Sequence, residues 1–219
     1  MADKPILFSG PMVRALIDGR KTQTRRTLKP QPDFRGGAGD YHDAEEWGWE
    51  DEDGYHVSVL DIVPNGYRIG DRLWVRETWS GDYGVRNIPP GQRPEFLQGP
   101  LWYWADGNPK DGDWERPRPS IHMPRWASRL KLTVTDVRVQ RLQEISDDDA
   151  IAEGIREQTF TGWFSVPGLN GAGTTARAAY SMLWDSLNAR RAAWASNPWV
   201  VALTFETHRC NIDQAEAPQ

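Results

Sequence analysis

The chain alternates between short apolar runs and polar, glycine- or proline-marked breaks. Residues 5–8 form a brief apolar run that predicts a strand. Gly10-Pro11 predicts a helix start, because proline is favoured at the first helical position, and Met12, Val13, Leu16 and Ile17 share one helical face. Gly19 predicts the stop, as a residue that adopts the left-handed conformation at a helix C-terminus. The Thr-rich stretch 22–28 predicts a strand, ended by Lys29-Pro30-Gln31-Pro32 because proline cannot donate to a ladder. A mix of apolar and polar positions over 71–79 predicts one core strand, and Leu130, Leu132, Val134, Val137 and Val139 predict a strand pair within 129–141. Ser146 followed by three aspartates predicts a capped helix running to about Glu153 and ending at Gly154. Ala176, Tyr180, Leu183, Trp184 and Leu187 predict an amphipathic helix, and 199–205 a closing strand.

Between these elements lie two long stretches that read as insertions, at about 33–66 and 81–120. In the first, Trp47, Trp49, Asp53-Gly54, Tyr55, Val57 and Val59 spell a hairpin, and Asn65-Gly66 a second turn. The second is rich in proline and glycine, with a strand-like island at 101–104. It is too long for an ordinary connection, so it predicts a functional or partly mobile loop. Residues 161–173 predict a Gly-rich loop. With no internal repeat and no clear linker, the expectation is a single domain over 1–219, of α+β class, built as a mixed β-barrel with a few short helices.

Composition narrows the class. The 219 residues are 38% hydrophobic and 26% charged, which predicts a folded chain. No apolar run approaches the roughly 18–20 residues of a membrane span, and the first residues lack an export signal, so no membrane partner is expected. The one cysteine, Cys210, cannot form an internal disulfide and predicts a cytoplasmic protein, with Cys210 itself read as a small strand-end residue. The formal net charge of −5 argues against a general nucleic-acid coat. Acids crowd 43–53, whereas 20–29 holds Arg20, Lys21, Arg25, Arg26 and Lys29 with no acid. Twelve tryptophans suit a core and also suit stacking on bases.

That basic stretch, 19–26, carries the most chemistry. A Gly turn lets backbone approach a partner, and Lys21 and Thr24 stand three residues apart among arginines. Threonine becomes a nucleophile when a neutral amine takes its proton, and desolvation or crowding by Arg20, Arg25 and Arg26 would favour the neutral amine. The same residues also fit a solvated basic strand edge.

The segment resembles the signature of the ASCH domain, G-x-K-x-x-E-x-R: Gly19, Lys21 and Arg26 match, and Thr24 stands in the place of the Glu. With Thr there, 17–26 is similar to the bacterial N4-acetylcytidine amidohydrolases, an ASCH subfamily with a proposed Lys, Thr and Glu set. That similarity implies Lys21 and Thr24 as catalytic, with Glu153 in the acidic stretch 142–153 as the third member and Asp149 as the other candidate. The segments 8–12, 70–79 and 121–129 also resemble larger ASCH proteins of phages and prophages, so the likeness spans 5–205. It implies a PUA-like barrel and a cleft for a modified cytidine, or for RNA or DNA. Arg26, Trp74, Glu77, Trp79, Arg125, Trp126 and Arg129 are the expected substrate-binding residues. Trp74, Glu77 and Trp79 read equally as core with a surface Glu, and 123–129 as a loop packing over the barrel.

Other chemistries lack their residues. The four histidines have no metal spacing, and no cofactor is expected. The acidic hairpin would put Trp49 and Leu60 where a calcium loop needs ligands. Gly171-Ala172-Gly173-Thr174 lacks the lysine of a phosphate-binding loop. Two functions remain: an amidohydrolase acting on N4-acylated cytosine, and a non-catalytic nucleic-acid-binding regulatory module using the same cleft. A ribonuclease is third, for want of paired acid–base histidines.

Overall fold

The computed structural model describes residues 2–34, 47–50, 56–58, 66–92, 100–166 and 168–214. In chain order its strands are β1 (Asp3–Leu7), β2 (Gln23–Thr27), β3 (Asp33–Phe34), β4 (Trp47–Glu50), β5 (His56–Ser58), β6 (Arg72–Arg76), β7 (Trp79–Gly81), β8 (Leu101–Tyr103), β9 (Lys131–Arg141), β10 (Arg156–Glu157), β11 (Phe164–Ser165), β12 (Ala172–Gly173) and β13 (Trp199–His208). The α-helices are α1 (Gly10–Ile17), α2 (Asp147–Ala152) and α3 (Ala176–Ala192). The class is α+β. Among the described residues no sheet closes into a barrel, since closure would give every strand two neighbours whereas β1 pairs with β6 alone and β2 with β13 alone.

The chain forms two compact units. The first takes Met1–Thr22, Gly70–Thr135 and Phe205–Gln219; the second takes Gln23–Ile69 and Asp136–Thr204. The long strands β9 and β13 therefore contribute part of their length to each.

In the first unit β1 runs parallel to β6, and β6 antiparallel to the start of β9. Alternate residues Leu73, Val75, Leu132 and Val134 are wholly buried, as a pleated strand with one core face requires. Helix α1 has Pro11 in its first turn and buries Val13, Ala15 and Leu16. Its end is closed by Gly19 at φ +70°, while the N–H groups of Arg20 and Lys21 both donate to Ala15 O, at 2.9 and 3.0 Å. The expected strand over 71–79 is broken after Arg76. Side chains take the ladder groups there: the Glu77 N–H donates to Met123 Sδ at 3.3 Å, and Ser128 Oγ donates to Val75 O at 2.9 Å. Trp79 then begins β7, which pairs with β8 on one side and bridges Arg118 on the other, with Asp82 just beyond it bridging Trp114. The stretch read as a loop thus supplies a strand and part of the cover over a core cluster of Trp79, Met123 and Ala127.

The second unit holds the antiparallel pair β2–β13, the sheet β3–β4–β5 and the sheet β10–β11–β12. The expected hairpin appears as β4 against β5, with its Asp53-Gly54 turn outside the described residues. The stretch 161–173 carries β11 and β12 rather than loop alone. Ser146 Oγ accepts from the Asp149 N–H at 3.1 Å to cap α2, and Gly154 at φ +105° closes it. Helix α3, capped by Thr175, packs on α2, β11 and β12. The expected strand pair over 129–141 is one eleven-residue strand, β9, whose burial fades beyond Val134 as its polar residues face water on both sides.

The contact of α3 with β12 leaves no room at Gly173, where an added Cβ would lie 2.5 Å from Ala179 N and 3.0 Å from Ala178 C. Gly173→Ala is expected to cost about 1–3 kcal/mol in urea unfolding, as overpacking does. Gly171→Ala, whose Cβ would meet only the flexible thioether of Met182 at 3.3 Å, should leave the midpoint nearly unchanged.

Candidate functional site

Strand β2 is buried on both faces at its centre: Thr24 is 2% exposed and Arg25 3%. Successive residues of a strand point oppositely, so the hydroxyl and the guanidinium serve different sides. A guanidinium never sheds its charge, so a buried one needs acids. They come from α2 and its C-terminal cap. Arg25 Nη2 donates to Asp149 Oδ2 at 2.7 Å, and Nη1 lies 3.3 Å from Glu153 Oε1. Gln23 Nε2 donates to Asp149 Oδ1 at 2.9 Å, and the Tyr180 hydroxyl of α3 donates to Glu153 Oε1 at 3.2 Å. Arg138 of β9 adds a weaker contact to Asp149 at 3.3 Å.

The titration of these groups follows from burial and charge. Burial pushes the Tyr180 hydroxyl well above its ordinary value, and the adjoining Glu153 carboxylate adds to the shift. Burial works to raise the Asp149 carboxyl, but the Gln23 hydrogen bond and the charges of Arg25 and Arg138 prevail and hold it below the usual carboxylate range.

Lys21 belongs to the first unit. It precedes β2, in the turn that follows Gly19, and the residue is 0% exposed. Its Nζ lies 5.6 Å from the centre of the Phe8 ring. A surface cleft of about 420 Å³ adjoins this turn, lined by Leu16, Gly19, Lys21, Thr22 and the end of β13. Of the three cations expected to crowd Lys21, Arg20 is paired with Asp18 at 2.7 Å and Arg25 with Asp149 and Glu153. Neither Lys21 nor Thr24 is a surface side chain.

The expected substrate-binding residues are divided. Arg26 is half-buried in β2 of the second unit; the others are in the first. Trp79 is 0% exposed and meets Trp126 edge to face at 6.0 Å. Trp74 is half-buried, with the Arg76 guanidinium 5.2 Å from its ring centre. Glu77 is 1% exposed rather than a surface residue; it takes both Arg129 Nε and Nη2, at 2.9 and 3.0 Å. Burial raises the Glu77 carboxyl against the opposing pull of Arg129. Arg129 also binds Asp106 and lies 4.1 Å from the ring centre of Tyr103, whose hydroxyl burial pushes up to about 12. Arg125 is committed to Asp3 and Asp213. Arg125 and Arg129 are therefore both engaged with carboxylates.

Sequence reasoning gave Arg25 only a crowding role and read Tyr180 as one more apolar-face residue of α3. For Arg25 a signal existed: a cation in the middle of a buried strand requires an acid elsewhere. For Tyr180 none did, since a core tyrosine and a carboxylate donor have the same spacing.

Removing one partner of a buried ion pair strands the other. Arg25→Ala is expected to lower the unfolding free energy by about 3–5 kcal/mol, read in chemical denaturation. The raised Tyr180 contributes stability that is complete below about pH 10, its ordinary value, and lost as pH climbs toward the folded value. Tyr180→Phe should therefore flatten the alkaline arm of stability against pH. The depressed Asp149 contributes above about pH 4 and loses its contribution as pH falls through the lower folded value, so Asp149→Asn should flatten the acid arm.

Compared with known protein families, curated proteins and solved structures, the chain matches none. The resemblance to ASCH proteins rests on the motif residues themselves.

Proposed function

We propose that the protein is an ASCH-type amidohydrolase of PUA-like architecture that removes an acyl group from the exocyclic amine of N4-acylated cytosine, as nucleoside or within nucleic acid. The observation that carries this reading is the joining of residues flanking Thr24 to the acidic helix. Gln23 and Arg25 reach Asp149, and Arg25 reaches Glu153 across 128 positions of chain. The resemblance assigned Thr24 and Glu153 to one chemistry; buried contacts in the second unit bring their segments together. Asp149, the other candidate, is bound likewise, by Gln23, Arg25 and Arg138; the resemblance places Glu153 first.

In this mechanism Lys21 acts as the base. It stands buried in the turn after α1, and the mechanism requires its amine uncharged. Nζ accepts the Thr24 hydroxyl proton as Oγ1 attacks the acyl carbonyl carbon. The tetrahedral adduct collapses, the carbon–nitrogen bond breaks, and the exocyclic amine leaves with the proton returned from Lys21. Water then hydrolyses the threonine ester, releasing the carboxylic acid. Glu153, with Arg25 and Tyr180 both donating to Oε1, acts as an acceptor that orients the exocyclic N–H.

The test is incubation of the full-length protein with N4-acetylcytidine and detection of cytidine and acetate by mass. Because Lys21 and Thr24 are buried, the informative variants keep their volume. Lys21→Met and Thr24→Val should each reduce turnover by about a thousandfold or more, with the double variant little worse than either and circular dichroism unchanged. Intact acetylcytidine after incubation with wild type, together with salt-dependent binding of single-stranded RNA, would replace this reading with the binding module.

A further inference from the structure

A second cleft lies in the first unit, and none of its described lining residues is assigned to acyl-cytosine chemistry. Its volume is about 530 Å³, within the roughly 300–1,000 Å³ of small-molecule sites. The walls bring together Arg86, Arg116 and Arg118, and Glu115 is the one acid among the described lining residues. On a chain of net charge −5 such a local excess of cations stands against the overall balance.

The four charges are not equivalent. Glu115, 5% exposed, takes Arg118 through a two-pronged contact, Nε and Nη2 each at 2.9 Å from a carboxylate oxygen. That pair cancels. Two exposed arginines remain. Arg116 makes no hydrogen bond or ion pair among the described residues. Arg86 lies 4.0 Å from the centre of the Tyr83 ring and gives one N–H to Tyr83 O at 3.2 Å, leaving most of its donors unused.

The backbone holds this arrangement. Residues 115–118 lie along β7: Glu115 N–H donates to Gly81 O at 2.9 Å, and Arg118 exchanges backbone hydrogen bonds with Trp79 at 2.8 and 3.2 Å. Pro117 and Pro119 fix their own φ and keep the residues before them, Arg116 and Arg118, extended. Arg116 and Arg118 both line the cleft, one locked by Glu115 and one open.

We infer that this cleft binds the phosphate of a small phosphomonoester, with Arg86 and Arg116 as its charge partners. Two uncompensated guanidiniums match the roughly −1.5 to −2 charge of a monoester phosphate at neutral pH better than the single charge of a diester in a nucleic-acid backbone. Guanidinium forks suit phosphate oxygens in a way that ammonium groups do not. The rest of the volume, walled by Tyr83, Pro117 and Pro119, takes the organic portion, and His122 at the rim supplies a further polar contact. The inference does not depend on the acyl-cytosine reading.

The test is calorimetric titration of the full-length protein with cytidine 5′-monophosphate, adenosine 5′-monophosphate and ribose 5-phosphate. Inorganic phosphate, cytidine and a single-stranded oligonucleotide without terminal phosphate are the comparison ligands. At least one monoester should bind more tightly than all three. Arg86→Ala and Arg116→Ala should each weaken it by about tenfold or more, the loss of a charge-assisted contact, while Arg190→Ala on the exposed face of α3 leaves it unchanged. Both cleft arginines are exposed, so these variants should melt as wild type does. The inference is overturned if no monoester binds, if inorganic phosphate or the oligonucleotide binds as tightly, or if Arg190→Ala weakens binding as much as the cleft variants.

Discussion

A guanidinium that cannot lose its proton sits at the centre of a buried strand, and the second unit is arranged to neutralise it. Arg25 draws Asp149 and Glu153 to β2, Gln23 shares Asp149, and Tyr180 completes the shell of Glu153. Each contact joins a different element: the strand, the short acidic helix, the turn that caps it, and the long helix α3. The dependence is steep because the cost of an unpaired buried charge exceeds the net gain of most single contacts. The cluster therefore constrains where α2 ends relative to β2. Gly154, in the left-handed region just after the cap, lets the chain turn away while leaving the Glu153 side chain facing inward.

This arrangement bears on chemistry through position. A carboxylate held by two donors on one oxygen has little freedom to rotate, and a catalytic group gains most from being placed before the substrate arrives. Thr24 inherits the same rigidity from its neighbours in the strand, paired in register with Leu203 of β13. Lys21 is placed by different means. The carbonyl of Ala15 collects the N–H groups of Arg20 and Lys21, and the Phe8 ring lies against the side chain. The helix end, rather than the sheet, decides where this lysine stands.

In the first unit the charged residues are mostly spent on one another. Arg129 with Glu77 and Asp106, and Arg125 with Asp3 and Asp213, are closed pairs around the Trp79 core. Their aromatic neighbours look from sequence like a stacking platform, yet Trp79 is walled in completely. The Glu115–Arg118 pair follows the same logic but leaves Arg86 and Arg116 over. The difference between a structural and a binding arginine here lies in whether an acid stands within reach.

Local rules were enough to read the helices from the sequence. Pro11, Gly19, the Ser146 cap with its aspartates and Gly154 act within a turn of where they stand, so α1 and α2 begin and end within a residue or so of their signals. The placing of Lys21 in a turn before the strand that carries Thr24 follows from the Gly19 stop and the strand read over 22–28. Nothing local revealed the break between β6 and β7, because the groups that interrupt the ladder, Met123 and Ser128, are some fifty positions away. Nor did it reveal that Leu101–Tyr103 would pair with Trp79–Gly81 inside a stretch that reads as loop. Burial of the candidate residues was likewise invisible: Lys21, Arg25, Glu77 and Glu153 have the composition of a surface. Whether a charged side chain may leave water depends on partners delivered from distant parts of the chain, and only the tertiary structure delivers them.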